Sequence, residues 1–210
     1  MSGHDASRSV GSLPKTTASS PLVPLALTWV TWALFAASLA PLAVWVQGDG
    51  VWELAGVAAV DGLTVLLWVV VAFFSGIVQS YSRRYMAGHA HQSRFCATVF
   101  GFTLTVMALV AADHVALFGA LWLTMGLLMA ELIGTVRGWE QARSAAAVAR
   151  RYFVASSVLL GVALTTLWWE TGATTVSGIN GATGTIGGST WLLAASALVL
   201  AAMIQSALLP

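Results

Sequence analysis

Six long apolar stretches, each close to the length needed to cross a bilayer, set the limits on what this chain can fold into. They run roughly from Leu22 to Val46, Leu54 to Gln79, Phe95 to Ala112, Val115 to Thr135, Tyr152 to Trp169 and Trp191 to Leu209. An α-helix rising 1.5 Å per residue needs about 20 residues to cover about 30 Å of hydrocarbon. A water-soluble core could not hide so much apolar surface: 58% of residues are hydrophobic and 8% charged, against roughly 45–50% and 25% in soluble domains. A transmembrane β-barrel would alternate apolar and polar side chains, and Val69-Val70-Val71-Ala72-Phe73-Phe74 does not. The fold class is therefore all-α, a polytopic helical bundle spanning a cell membrane. Residues 1–21, rich in Ser, Thr, Gly and Ala, read as a disordered polar leader ahead of a transmembrane domain over 22–210. A signal peptide is the rival reading, but the first apolar stretch is too long for its 7–15-residue core.

The charges fix the orientation. Lys and Arg near helix ends are retained on the cytoplasmic side. All nine basic residues fall on alternate connections: Arg8 and Lys15 in the leader, Arg83, Arg84 and Arg94 between the second and third spans, and Arg137, Arg143, Arg150 and Arg151 between the fourth and fifth. The remaining links hold Asp49, Glu53, Asp113 and Glu170 with no Lys or Arg. Six crossings from a cytoplasmic N-terminus require this pattern. Trp45, Trp52, Trp168, Trp169 and Trp191 gather at the outer ends, where amphipathic rings anchor at headgroup depth. The outer link from Thr171 to Thr190 is rich in Gly and Thr and reads as mobile. No Lys follows its glycines and no strand precedes them, so it is not a phosphate-binding loop.

Few residues can carry chemistry. A net charge of +1 excludes a basic nucleic-acid binder. An ionisable group at mid-membrane costs at least about 2.5–3.5 kcal/mol, which makes any such residue a functional candidate. Asp61 reads as lying about two turns inside the second span, where it either serves an ion path or, with Gly62, caps or kinks the helix. Glu131, one turn from the inner end of the fourth span, can relay protons, pair with an Arg such as Arg137, or reach out to the interface. Asp113 and His114 lie at the outer surface, with Asp113 expected to cap the fourth helix. His4, His89 and His91 lie on the opposite side from His114, which argues against a membrane haem, and the pair His89 and His91 lacks partners for a metal site. Cys96 sits in an apolar run as a small core residue. No Ser/His/Asp set lies at one depth, so the chain reads as a non-enzyme with no cofactor or metal of its own.

From Asp61 onward the order of residues resembles the antiporter-like subunits shared by respiratory NADH dehydrogenase (NuoL-type) and Mrp-type cation/proton antiporters. The resemblance rests on Asp61-Gly62-Leu63-Thr64; Tyr81-Ser82-Arg83-Arg84-Tyr85-Met86 followed by Arg94-Phe95; Leu109-Val110-Ala111-Ala112-Asp113-His114; and Ala120-Leu121-Trp122 through Gly126-Leu127 to Leu132-Ile133-Gly134. It implies a proton-conducting membrane transporter. In that family a glutamate after the Trp and a lysine in a discontinuous seventh helix handle protons; this chain has Leu123 at the first position and Gln205 at the second. Glu131 lies eight residues beyond Leu123, about 12 Å deeper and about 80° round a helix, so it is no simple replacement.

The missing pair, with the wording Ile204-Gln205-Ser206-Ala207-Leu208-Leu209-Pro210 and Arg150-Arg151-Tyr152-Phe153-Val154-Ala155-Ser156, is most similar to the DabB-type subunit of the DAB inorganic-carbon pump. That resemblance implies ion-coupled uptake of bicarbonate or CO2 with a soluble, zinc-bearing DabA-like partner. It also implies a shortened chain, because family members continue past the point where this sequence stops. The alternatives are a NuoL- or Mrp-type subunit, partnered by other antiporter-like membrane subunits, and a non-transporting membrane anchor. On the first reading the proton or ion path draws on Glu131, Asp61, Gln205, Asp113 and His114.

Overall fold

The computed structural model describes residues 22–48, 52–89, 91–136, 138–182, 184 and 187–206. The polar leader, Arg137 and the last four residues lie outside the described residues. Six helices are long and apolar enough to cross a membrane: α1 (Leu22–Gln47), α2 (Gly62–Tyr85), α3 (Gln92–Ala111), α4 (Val115–Ile133), α5 (Glu140–Thr171) and α7 (Gly188–Gln205), with a short α6 (Val176–Gly181) before the last. The protein is an all-α multi-pass membrane bundle. Chain neighbours pack side by side, α1 on α2, α2 on α3, α3 on α4, α4 on α5 and α5 on α7. Many large apolar side chains on their outer faces remain exposed, as a helix surface bathed in lipid requires.

Without a hydrophobic driving force between helices in lipid, close approach depends on small residues and interhelical hydrogen bonds. Both are visible here. On α7 the face toward the bundle is Ala194, Ala197 and Ala201, all buried. On α4, a Cβ at Gly126 would lie 2.7 Å from Phe153 Cβ of α5, and one at Gly134 would lie 3.0 Å from Ala146 Cβ. These contacts fix α4 and α5 antiparallel, with Gly134 opposite Ala146 near the inner end and Gly119 facing Leu164 toward the outer end. At the α1–α2 crossing, Gly62 accommodates the ring of Trp45 and Gly76 the ring of Trp32, so Trp45 packs within the bundle as well as marking its outer end.

The structure corrects several sequence boundaries. Residues expected to open the second span instead form an antiparallel hairpin, β1 (Trp52–Leu54) with β2 (Ala58–Val60), in register Trp52 to Val60. Its turn puts Ala55 and Gly56 at positive φ. Helix α2 begins only after Asp61, because Asp61 is extended and its carboxylate accepts the Thr64 N–H at 2.8 Å. Apolarity alone could not locate that start; the side-chain cap does. Asp61 is therefore at the end of the helix and not two turns inside it. Helix α5 starts twelve residues before the expected span, at Glu140; those residues are too polar to register as lipid-facing but are good helix formers. The link after α5, expected to be mobile, is tied down over residues 174–177 and carries α6.

Candidate functional site

The outer end of the bundle is built around the turn between α3 and α4. The backbone N–H groups of Asp113 and His114 both donate to the Val57 carbonyl, at 3.0 and 3.2 Å, and Val115 N–H donates to the Thr174 carbonyl. Ala112 bridges to Ala58 and His114 to Thr175. The hairpin and the outer link thus clasp this turn from its two sides. The Asp113 carboxylate accepts from Ser177 N–H at 2.8 Å and from Ser177 Oγ at 2.7 Å, while its carbonyl accepts Val176 N–H. Asp113 consequently braces the first turn of α6, whose own N-cap is Thr175, and does not cap α4 as the sequence suggested. His114 occupies the α4 N-cap position and makes no side-chain cap bond.

Glu53, Asp61 and Asp113 all line one cavity of about 650 Å³ beneath this clasp, walled by Val110, Phe118, Leu167 and Trp191. Among the described residues no basic side chain lines it. The Thr64 backbone N–H, and then the Thr64 hydroxyl, hold the Asp61 carboxyl below its usual range. The depressed pKa means the Asp61 cap contributes stability that is fully present above about pH 3.9 and is lost as pH falls below that value. Asp61→Ala should cost about 1 kcal/mol at pH 6, with the gap to the wild type narrowing toward pH 3. Asp61→Asn should keep most of the cap and lose the pH dependence. Thermal unfolding of the detergent-solubilised protein between pH 3 and 6 measures both.

His114 faces elsewhere. It lines a second groove, about 480 Å³, between α4 and α5 with Gly119, Leu123, Ser157, Thr165 and Trp168. Leu164 lines both cavities and forms the wall between them. Leu123 therefore sits in an apolar groove shared with His114, while Asp113 belongs to the acidic one.

At mid-depth the bundle is polar without being charged. Trp122 Nε1–H of α4 donates to Ser156 Oγ of α5 at 3.1 Å, and Ser156 Oγ–H donates to the Ala201 carbonyl of α7 at 2.8 Å. This relay ties three helices together one turn before Gln205. The Gln205 amide nitrogen lies against Gly126, and its buried Oε1 has no partner among the described residues. A second polar seam, which sequence reasoning missed, runs down the α2–α3 contact. Trp68 Nε1–H donates to the Met107 carbonyl, Ser75 and Thr103 hydroxyls meet at 2.6 Å, and Gln79 Nε2–H donates to the Cys96 carbonyl. Thr103 Oγ1–H is already given to the Val99 carbonyl, so Ser75 is the donor of that pair. Gln79 is fully buried. Its signal in the sequence was an amide inside the apolar run Ile77-Val78-Gln79. Among the described residues no Asp, Glu, Lys, Arg or His lies between the outer level of Asp61 and His114 and the inner level of Arg94 and Glu131.

At the inner end Glu131 pairs with Arg94, from the start of α3. Both side chains are more than a third exposed. The sequence expected a neighbour from the adjoining link, Arg137, which lies outside the described residues; the antiparallel α3–α4 packing brings the more distant Arg94 to the carboxylate instead. Arg83 and Arg84 occupy the last turn of α2, where cations complement the helix dipole. Arg150 and Arg151 lie within α5, just before its apolar stretch from Tyr152. Among the described residues no three His, Cys, Asp or Glu side chains converge on a metal position.

Two family models match this architecture in chain order. The N-terminal model of NADH-ubiquinone oxidoreductase (complex I) chain 5 takes in residues 45–96, which hold the hairpin, α2 and the start of α3. The membrane model of the NADH:quinone oxidoreductase/Mrp antiporter family takes in residues 111–210, from the end of α3 onward. The chain belongs to this antiporter-like family. Curated relatives agree: NADH-quinone oxidoreductase subunit L of Rickettsia typhi is 32% identical over 99 residues, 47% of this chain and 15% of the relative. NADH-ubiquinone oxidoreductase chain 5 of Cryptococcus neoformans var. grubii is 27% identical over 150 residues, 71% of this chain and 23% of the relative. Chain 5 of Chondrus crispus is 37% identical over 67 residues, 32% of this chain and 10% of the relative. The chain thus spans less than a quarter of each of these relatives. In this antiporter-like chain Leu123 lines the apolar groove, and Gln205 lies against Gly126 of α4.

Proposed function

We propose that this chain is a membrane subunit of a proton- or sodium-coupled transporter of the cell membrane, of the DabB type, which energises uptake of bicarbonate or CO2 together with a soluble, zinc-bearing DabA-like protein. One observation carries the reading: antiporter-like family models match residues 45–96 and 111–210, while the mid-membrane positions hold Leu123 and a neutral amide, Gln205. Coupling then rests on the two ends of the bundle. Outside, Asp61 and Asp113 draw cations to the acidic cavity, with His114 beside it at the mouth of the neighbouring groove. Inside, Glu131 exchanges between Arg94 and a proton or ion. The Trp122–Ser156–Ala201 relay holds the end of α7, and with it Gln205, against α4.

Coexpression of the full-length protein with a DabA-like partner in a strain lacking carbonic anhydrase should restore growth at ambient CO2. Glu131→Gln should abolish that rescue while changing thermal stability by less than about 1 kcal/mol, the value of an exposed ion pair. No rescue by the folded full-length pair overturns the proposal. Rescue that survives Glu131→Gln removes Glu131 from the path.

A second reading is favoured by the relatives, all three of which carry names of NADH-quinone or NADH-ubiquinone oxidoreductase subunits. It makes the chain a NuoL-type subunit, and it expects copurification with other hydrophobic antiporter-like subunits instead of with a soluble zinc protein.

A further inference from the structure

Helix α5 is 32 residues long, about 48 Å, and the hydrocarbon accounts for about 30 Å of that. Counted back from Thr171, the lipid-embedded part ends near Tyr152, so the turns from Glu140 to Arg151 stand at or beyond the inner headgroups. They do not project freely. Ala146 is buried against Gly134 at the end of α4, which pins this extension to the bundle and leaves a cavity of about 530 Å³ lined by Ala130, Glu131, Gly134, Arg143, Ala146, Ala147 and Arg150. Trp139, 63% exposed at the start of α5, sits on the same side as an interfacial anchor.

Arg143 and Arg150 are two turns apart on one face of α5, and both residues line the same cavity. Among the described residues neither has a carboxylate partner, since Glu131, the only acid on the cavity wall, is taken by Arg94. The short side chains of Ala130, Gly134, Ala146 and Ala147 leave the space between them open. A paired guanidinium site with room between its members suits a phosphate oxyanion, which each planar fork can bind through two N–H groups.

We propose that the cleft between the end of α4 and the start of α5 is a phosphate-binding site that holds an anionic group between Arg143 and Arg150. At this depth the phosphate is supplied by an anionic phospholipid headgroup or by free inorganic phosphate from the cytoplasm. The site lies beyond the proposed transport reading and does not depend on what is transported.

The test uses the full chain purified in a non-ionic detergent. Native mass spectrometry counts phosphatidylglycerol retained from mixed micelles, with phosphatidylcholine as reference, and phosphorus NMR titration follows inorganic phosphate alone. Each Lys or Arg near an anionic surface is worth about 1 kcal/mol, or about fivefold, so the double variant Arg143→Gln/Arg150→Gln should lower affinity about 25-fold. Arg143→Lys/Arg150→Lys, which keeps the charge, should stay within about fivefold of the wild type. Arg83→Gln/Arg84→Gln removes the same charge at another inner link and should leave affinity unchanged. Preferential retention of phosphatidylglycerol identifies the headgroup as the source; saturable phosphate binding with no lipid preference, and the same dependence on Arg143 and Arg150, identifies the free ion. The proposal is overturned if the Arg143/Arg150 double variant binds both probes like the wild type, or if the Arg83/Arg84 variant loses as much.

Discussion

Gly126→Leu should separate α4 from α5 and destabilise the detergent-solubilised protein by about 3 kcal/mol, the upper part of the range for overpacking a close contact. The nearest atom to a new Cβ would be Phe153 Cβ at 2.7 Å. That atom is fixed to the α5 backbone and cannot rotate away. Relief requires the helices to move apart, which lengthens the Trp122–Ser156 bond and frees the Gln205 side chain from its place beside Gly126. The companion change Phe153→Ala should rescue only part of the loss, because it removes the ring and leaves the Cβ. Gly119→Leu is the control on the same helix. Its Cβ would meet only the end of the Leu164 side chain at 3.8 Å, beside an open groove, and its cost should stay below about 1 kcal/mol. Thermal unfolding of the three variants decides the matter; equal losses at Gly119 and Gly126 would contradict the close crossing.

Asp113→Ala should release α6 while leaving the six long helices in place. Asp113 is 8% exposed, and its carboxylate accepts from both the N–H and the hydroxyl of Ser177. A hydrogen bond to a charged group contributes about 1.5–3 kcal/mol, and its loss here also leaves a helix-start N–H without a partner. Hydrogen exchange over residues 176–181 should accelerate about 30- to 150-fold, matching a local loss of about 2–3 kcal/mol. Exchange in α3 and α5 should not change. Asp113→Asn keeps one acceptor oxygen and should show an intermediate effect. If the Asp113→Ala exchange pattern matched the wild type, the link would be held by its backbone bonds at Thr174 and Val176 and by the Thr175 cap on Gly178. The same change opens the acidic cavity on its α6 side, so any cation attraction at the outer face should weaken with it.

What was legible in the sequence was whatever depends on transfer between water and lipid. Hydropathy placed six candidate spans because each helix must satisfy its own backbone in hydrocarbon. The family was legible too, because its motifs are short, ordered and local. The cap at Asp61 was half legible: the residue type suggested a cap, but its depth was misjudged since Leu54 to Val60 is apolar and yet forms a hairpin. Hydropathy cannot separate an apolar hairpin at the outer surface from the first turns of a span.

Tertiary structure alone decided which polar groups meet. Asp113 finds Ser177 across 64 residues, Glu131 finds Arg94 across 37, and Ser156 reaches Ala201 across 45. None of these pairings has a local signature, because each depends on the antiparallel register between helices. That register is set by where glycine and alanine let backbones approach, as at Gly126 against Phe153 and Gly134 against Ala146. The sequence by itself marked six segments long and apolar enough to cross a membrane, with the basic residues gathered on alternate connections. Only the packed bundle decided that Glu53, Asp61 and Asp113 share one cavity and that Arg143 and Arg150 share another, because those arrangements follow from close contact between helices and not from the preference of any residue for lipid or water.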